Sequence, residues 1–440
     1  MLFAAVCVFA QETKVLTLDE CISTALQNNI DLKRARNNEL LAKSNNLQSL
    51  MEMLPTISAG VNYDFFVGTT FDQNAARQVT ATTNSSNPNL NVGWAIFNGF
   101  SNYHTRKQRE NEYQGAQSNV DGTILTTRAN ILGSFLNVVL SKENIKIAQE
   151  RVDLLSSQLE REEKRESVGV GNMESVYNFR SQLATERLNL NNLQNQYESN
   201  KLQLLQAMQL DPTAARYEVE TFDISSEDLT EEADPFAEVL DQSLSYSPSI
   251  RSAAYSRNAS RFQFKAAQGA YLPSIFVRGV LGSNYSSNGA FNPNLGEVEA
   301  DATYFEQLGY NQFEYLNFSL SIPIFNRFRT RNNVQAARLA MANAELDQVQ
   351  AEMTVTNTVQ NVYLDLIAAQ NNFQSATENL VALNQSFEFM KKRYETGNSD
   401  FYTYLESLNN KNRAEVQLAN AKYSIVLRKR ILDLYRGQGQ

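Results

Sequence analysis

The spacing of apolar residues along the chain switches between two periods. From Ser101 to Glu166 it is helical: Ile131, Phe135, Val138 and Val139, then Val152, Leu155 and Leu159, recur at intervals of three and four. The same spacing runs from Asn326 to Glu395, among Ala, Leu, Gln, Asn and charged residues. No proline falls between Asn89 and Asp211, or between Ile324 and Gln440. Proline costs about 3 kcal/mol inside a helix, so these stretches predict two very long helices. A helix of about 65 residues is about 100 Å long and cannot wrap a globular core. It needs a neighbour along its length, as in a coiled coil. Each ends in a glycine mark, Ser167-Val168-Gly169-Val170-Gly171-Asn172 and Thr396-Gly397-Asn398-Ser399-Asp400. Helices from about Met173 to Leu210 and on to about Arg436 follow. Glycine supplies the left-handed residue that ends a helix, and Asn or Asp caps the next. The pattern therefore predicts two helical hairpins with tight tips.

Elsewhere the period falls to two. Four segments predict strands: Pro55–Phe71, Asn89–Phe97, Pro273–Tyr285 and Phe313–Phe325. Ile57, Ala59, Val61, Tyr63, Phe65 and Val67 share one face, opposite Ser58, Gly60, Asn62 and Asp64. Phe318, Leu320, Ile322 and Ile324 likewise oppose Asn317, Ser319 and Ser321. One apolar and one polar face suits a membrane barrel strand, which needs about 9–11 residues to cross; a soluble sandwich with one buried face gives the same alternation. Four strands do not close a barrel, for which eight is the usual minimum, and an open sheet in lipid leaves unpaired edges. On the membrane reading, several chains must share one barrel. The connections at about Asp72–Pro88 and Ser286–Gln312 would then be extracellular loops. The second carries Glu297, Glu299, Asp301 and Glu306, which would bias the mouth against anions, or simply be solvated.

The two halves repeat. Leu54-Pro55 corresponds to Leu272-Pro273 (272 − 54 = 218), and Phe97-Asn98-Gly99-Phe100 to Phe325-Asn326-Arg327-Phe328 (325 − 97 = 228). Gly171-Asn172 corresponds to Gly397-Asn398, and Tyr197 to Tyr423, each 226 residues on. Repeats thus span 11–210 and 235–436, each running helix, strand, loop, strand, long helix, glycine tip, helix, with a tail at 437–440. Thr17-Leu18-Asp19-Glu20 is a capping box opening the first, and Asp234-Pro235 a cap followed by a first-turn proline in the second. Between them, Asp211–Asp234 holds nine acidic residues against Arg216 alone, and is expected to be an exposed connector.

Residues 1–10 are apolar and end in Ala10 before Gln11-Glu12, which reads as the remnant of a secretory signal peptide. Lipidation at Cys7 and a buried N-terminal strand are the weaker alternatives. No later stretch is expected to be a membrane-spanning helix, which needs about 18–20 apolar residues. Composition narrows the chemistry. The 440 residues carry 39 Lys+Arg against 48 Asp+Glu, a net charge of −9, which disfavours nucleic acid as a partner. A single histidine, His104, disfavours His-based metal sites and Ser-His-Asp catalysis, and two cysteines disfavour a disulfide framework. No cofactor or metal is expected.

In order and spacing these features resemble the TolC family of outer-membrane efflux and secretion ducts. The resemblance covers about Thr17 to Arg436. It rests on Ala25-Leu26-Gln27-Asn28-Asn29 and Leu244-Ser245-Tyr246-Ser247-Pro248 in the opening helices, and on Leu54-Pro55 and Leu272-Pro273 before strands. Phe97-Asn98-Gly99, Ile322-Pro323-Ile324-Phe325-Asn326 and Gln417-Leu418-Ala419-Asn420-Ala421-Lys422-Tyr423 complete it. It implies a mainly α fold with a membrane β part. Three chains would give 3 × 4 = 12 strands in a shared barrel, continuing as a helical tunnel through the periplasm. It also implies a periplasmic adaptor, an inner-membrane pump of the RND or ABC type, and outer-membrane lipid as partners. The acidic pore positions of the family fall on Thr403 and Glu406, the first a departure from the pattern. Tyr394 matches a tyrosine that bridges neighbouring coils, and Ser399 stands where some relatives carry a basic partner. Adaptor contact is implied for Val168, Gly169, Gly171, Thr396 and Gly397. Phe401, Tyr402 and Tyr404 suggest an aromatic contribution to closure.

Three classes of function follow. A passive gated duct accounts for helices and strands together, with energy supplied by a partner, because no phosphate-binding loop is present. A non-conducting coiled-coil scaffold explains the helices and leaves the strands without purpose. A carboxylate hydrolase would use pairs such as Glu162-Glu163, which read instead as a solvated helix face.

Overall fold

The computed structural model describes residues 13–72, 76–213, 215–221, 224, 229 and 233–438. The leader read at 1–10 and parts of the connector lie outside them. The first half runs β1 (Thr13–Leu16), α1 (Leu18–Asn28), α2 (Ile30–Met51), β2 (Thr56–Gly60), β3 (Tyr63–Asp72), β4 (Arg77–Ser86), β5 (Asn89–Asn98), α3 (Ser101–Ser167) and α4 (Met173–Ala207). After β6 (Arg216–Val219) the second half runs α5 (Phe236–Tyr246), α6 (Pro248–Gly269), β7 (Ser274–Gly282), β8 (Tyr285–Ser286), β9 (Ala290–Asn292) and β10 (Glu297–Glu299). It closes with α7 (Tyr304–Tyr310), β11 (Phe313–Ser321), α8 (Arg329–Glu395) and α9 (Phe401–Arg436). Equivalent helices match in length: 11 and 11, 22 and 22, 67 and 67, 35 and 36 residues.

Each opening helix is broken in two where one was expected, and the breaks fall inside the quoted motifs. Asn29 leaves helical geometry and its Oδ1 accepts from Leu32 N at 2.8 Å, capping α2. Ser247 does the same before Pro248, which takes the first helical position of α6, where its missing N–H costs nothing. The Thr17 capping box forms, with both Thr17–Glu20 hydrogen bonds at 3.2 Å. At the second opening Pro235, not Asp234, occupies the cap position, and Asp234 pairs with Arg436 at 2.7 Å.

The chain divides into two compact units, each drawing on both repeats. The first comprises residues 1–37, 117–251 and 349–440, and its apolar side chains form three clusters. In one, Ile131, Phe135, Val138 and Val139 of α3 meet Leu204 and Leu205 of α4 and its capping residue Met208, over Leu16, Cys21, Tyr217 and Val219. The connector is therefore not simply exposed: β6 pairs in parallel with β1, from Thr13↔Arg216 to Leu16↔Val219, and alternates Tyr217 and Val219 inward. The same cluster corrects the expectation of no membrane-length apolar helix. An 18-residue window of α3 reaches a mean hydropathy of 1.2, because Ile131 to Val139 belong to this core.

The second unit comprises residues 38–116 and 252–348 and carries the remaining sheets. A four-stranded antiparallel sheet has the order β11-β7-β5-β2, with β2 and β11 at its edges. A second sheet, β3-β4-β8, corrects the loop expected at Asp72–Pro88: β4 pairs with β3 over ten residues, from Tyr63↔Ser86 to Asp72↔Arg77. The hairpin changes sheets where both its strands break, at Val61-Asn62 and Asn87-Pro88. Pro88 has no N–H for the ladder, and its carbonyl accepts instead from Ser283 N at 3.0 Å. The region expected as a loop at Ser286–Gln312 contains the β9–β10 hairpin and α7. There Asn292 donates to Glu299 at 2.8 Å, and Glu306 closes a capping box with Thr303.

Each long helix starts after two residues at positive φ, Gly99-Phe100 (65° and 64°) and Arg327-Phe328 (57° and 59°). This turn delays α8 to Arg329, three residues after the expected start. At Gly99 a Cβ would lie 2.1 Å from the Gly269 carbonyl oxygen, so the close approach of these two backbones requires glycine.

Candidate functional site

Both tips close by the same backbone device. Gly169 N donates to Glu166 O (2.9 Å) and Val170 N to Arg165 O (3.0 Å); Gly397 N donates to Tyr394 O (3.0 Å) and Asn398 N to Arg393 O (2.8 Å). These are Schellman motifs, with glycine at φ 76° and 77°. The next helices begin on side-chain caps, Asn172 Oδ1 accepting from Glu174 N and Asp400 Oδ1 from Thr403 N, both at 2.9 Å. Val168, Gly169, Thr396 and Gly397 are exposed, and Gly171 is half-buried against the Glu166 backbone.

Behind the tips the α3–α4 hairpin meets the α8–α9 hairpin through aromatic rings. Phe179 of α4 lies edge-on to Phe401 with centroids 4.7 Å apart. Tyr394 stacks on Tyr404 at 5.0 Å, and Phe387 tilts onto Tyr404 at 5.8 Å. Tyr404 is fully buried and Tyr394 is 8 % exposed, whereas Tyr402 faces outward at 65 %. Phe401 and Tyr404, but not Tyr402, thus join the two hairpins.

Tyr394 also carries the polar link. Its hydroxyl faces the Glu162 carboxylate of α3 and the Ser175 hydroxyl of α4, one on each helix of the other hairpin. Burial, then the Glu162 charge, push the phenol up to about 12, so it stays a donor throughout the physiological range. Glu162, only 3 % exposed, also receives Arg165 at 3.2 Å. This overturns the solvated-face reading of Glu162, while Glu163 beside it is exposed and pairs with Arg180 at 2.8 Å. A second link, the ion pair of Arg161 with Glu395, joins α3 to α8 on the more exposed side.

The remaining expected positions lie apart from this link. Thr403 spends its hydroxyl on Asp400 Oδ2 at 2.7 Å, within the cap of α9. The Thr403 hydrogen bonds hold the Asp400 carboxyl below its usual range. Glu406 is exposed and makes no ion pair among the described residues, on the same helical face as Tyr402 four residues earlier. Ser399 is half-buried in the turn. Sequence reasoning missed Glu162, Ser175, Arg161, Glu395 and Phe179. One signal was available for Glu162, because it continues the buried stripe Ala148, Val152, Leu155, Gln158 at helical spacing, where a carboxylate needs a partner.

The arrangement is a clasp between two hairpins. The profile of the family described as "Outer membrane efflux protein" matches residues 21–208 and 239–438, one block per repeat. The chain belongs to that family. Two curated relatives are outer membrane protein TolC of Escherichia coli K12, 24% identical over 304 residues, and its Vibrio cholerae counterpart, 22% over 325. The alignments take in 68% and 73% of this chain, and 58% and 68% of those proteins. The chain thus spans less than two-thirds of the length of the first of them. Among solved structures, VceC of Vibrio cholerae superposes with a TM-score of 0.79 at 16% identity, covering 96% of both chains. CmeC of Campylobacter jejuni gives 0.75 at 18%, covering 96% of this chain and 85% of its own. The fold is thus TolC-like, mainly helical with a β part, in keeping with membership of the outer membrane efflux protein family.

Proposed function

We propose that the chain is the exit duct of a tripartite efflux or type I secretion system, a gated passive channel for drugs, small molecules or polypeptides. A periplasmic adaptor would couple it to an inner-membrane RND or ABC pump. The observation that carries this reading is the four-stranded sheet, which has an exposed apolar face and two unpaired edges. Ile57, Trp94, Ile275, Phe318 and Leu320 are exposed large apolar side chains that the strand register places on one face. Four strands in antiparallel order leave β2 and β11 running in opposite directions, so β11 of one copy can continue the ladder with β2 of the next. Three copies supply twelve strands, satisfy every edge and give the apolar faces to lipid. Leu339, Leu346 and Met353 of α8, exposed and seven residues apart, offer a coiled-coil seam to a neighbouring copy.

In this reading the helical hairpins stand in the periplasm and the Tyr394 clasp holds the tips shut. Opening is a two-state change in which the adaptor binds the released arrangement more tightly. The exposed backbone at Val168, Gly169, Thr396 and Gly397, with half-buried Gly171 beside it, lets another hairpin approach closely. Three Glu406 carboxylates about the axis would favour cations. The test is conductance of the purified protein in a planar bilayer, beside Glu406→Ala. Small cation-selective steps that become larger or less selective in the variant are expected. Conductance unchanged by the substitution removes Glu406 from the pore. A well-inserted trimer that stays silent even with adaptor added would be the non-conducting scaffold.

A further inference from the structure

At the junction where β11 gives way to α8 the chain reads Ile324-Phe325-Asn326-Arg327-Phe328-Arg329-Thr330-Arg331. Ile324, Phe325 and Phe328 are exposed, as are Tyr271 and Leu272 just past the end of α6. Ser274 of β7 pairs with Ser321 of β11, so both junctions leave the sheet at the same end. Arg327, Arg329 and Arg331 are exposed and make no ion pair among the described residues. No Asp or Glu occurs from 315 to 344 or from 242 to 296, so neither helix supplies a counter-charge at this level.

The first repeat builds the same turn without charge. Gly99, Ser101 and Tyr103 stand at the positions equivalent to the three arginines (327 − 99 = 228), and Gly99-Phe100 takes a similar pair of positive φ values. The backbone therefore does not require the arginines. Further along α3, Lys107 and Arg109 are neutralised within the helix by Glu110 and Glu112, at 2.9 and 2.7 Å. The first repeat also shows which way these positions face. Its turn packs on a second helix end, Gly99 against Gly269, yet Phe100 and Tyr103 stay 57 % and 49 % exposed. Packed in the same way by another copy, the second turn keeps Phe328 and Arg331 outward. Arg331 lies over the Phe328 ring, 5.8 Å from its centroid, so charge and ring share one face.

We propose that this arginine collar binds the headgroup phosphates of anionic phospholipid, in the leaflet next to the helical part. The inference rests on the duct reading, which puts the apolar face of the sheet in lipid. The exposed apolar residues Phe318, Leu320, Ile322 and Ile324 run on into Phe325 and Phe328 and end among the arginines. That is the order of acyl chain, interface and headgroup, with aromatic rings at the boundary. Arg327 to Arg331 span about 6 Å at 1.5 Å per residue, against a headgroup layer of roughly 5–8 Å. A guanidinium pairs with two phosphate oxygens at once. A soluble anion would leave the exposed rings bare, whereas a lipid engages rings and arginines together.

The test offers the full-length protein, purified in neutral detergent, phosphatidylglycerol or phosphatidylcholine with the same acyl chains, and counts retained lipid by native mass spectrometry. Each Lys or Arg near an anionic surface is worth about a fivefold gain in binding, so three give a preference for phosphatidylglycerol on the order of 100-fold. Arg327→Gln with Arg329→Gln and Arg331→Gln is expected to abolish that preference, and about 1 M salt to weaken it in the wild type. Lysine at the same three positions should keep most of it. If the triple variant misfolds, Arg329→Gln with Arg331→Gln leaves the turn residue Arg327 in place and carries the test. Equal retention of the two lipids by the wild type, or an undiminished preference in the glutamine variants, overturns the collar. Inorganic phosphate that displaces the lipid at millimolar concentration overturns it in favour of a soluble anion. Glutamine variants that dissociate in lipid-free detergent place the arginines between copies and overturn it too. A chain that neither trimerises nor inserts into vesicles removes the duct reading itself, whereas a conducting trimer indifferent to lipid charge removes only the collar.

Discussion

Replacing Tyr394 by Phe removes one oxygen and leaves the ring. The stack on Tyr404 and the contact with Phe179 are apolar and survive. What is lost is the interaction of the hydroxyl with the buried Glu162 carboxylate, which keeps Arg165 at 3.2 Å. A hydrogen bond to a charged group is worth about 1.5–3 kcal/mol, so one copy of the clasp weakens by at most that amount. If three copies open together the effect sums to at most about 5–9 kcal/mol, or roughly three to seven powers of ten in the closed-to-open ratio. The purified variant should therefore show larger or more frequent openings in a planar bilayer without adaptor. Cells should take up bulky antibiotics that the intact outer membrane excludes, while the trimer persists on gel filtration in detergent. Unaltered conductance, together with a fall in thermal stability of the size expected for one hydrogen bond per chain, would refute the reasoning. It would reduce Tyr394 to a packing residue.

Arg161→Ala should act more weakly. Its pair with Glu395 is half in solvent, where such links are worth about 0.2–1 kcal/mol, and its effect on conductance should fade at high salt while that of Tyr394→Phe persists. Gly397→Leu places a side chain where a Cβ meets nothing within 4 Å, at φ 77°. The strain is about 1–2 kcal/mol, so efflux in cells should be lost while trimer and bilayer conductance remain; retained drug resistance would eliminate tip docking. The pH response follows from the raised phenol. The neutral form favoured by folding is complete below the ordinary tyrosine value of 10.0, and its stabilisation is lost as pH rises through about 12. The contribution of Tyr394 to the clasp should accordingly be constant from about pH 5 to 9 and fail only in strong alkali, a window read by conductance against pH in wild type and Tyr394→Phe.

Much of this architecture is determined locally and so is written in the chain. Proline-free stretches with helical spacing give α3 and α8 to within a few residues, since helix propagation depends on neighbours three and four positions away. Glycines at Gly169 and Gly397 mark the tips because a left-handed residue is a local requirement. Duplication at offsets near 226 announces the equivalent elements in each half. The break at Asn29 and the β3–β4 hairpin were less legible: an Asn that caps looks like any Asn, and Thr-rich polar segments pair as strands only when a partner edge is present. The clasp was decided by tertiary structure alone. Tyr394 could be singled out, but its partners Glu162 and Ser175 stand on other helices, more than two hundred residues earlier in the chain. Whether a glutamate faces water or a buried hydroxyl depends on which helix packs over it, and no periodicity within one helix encodes its neighbour.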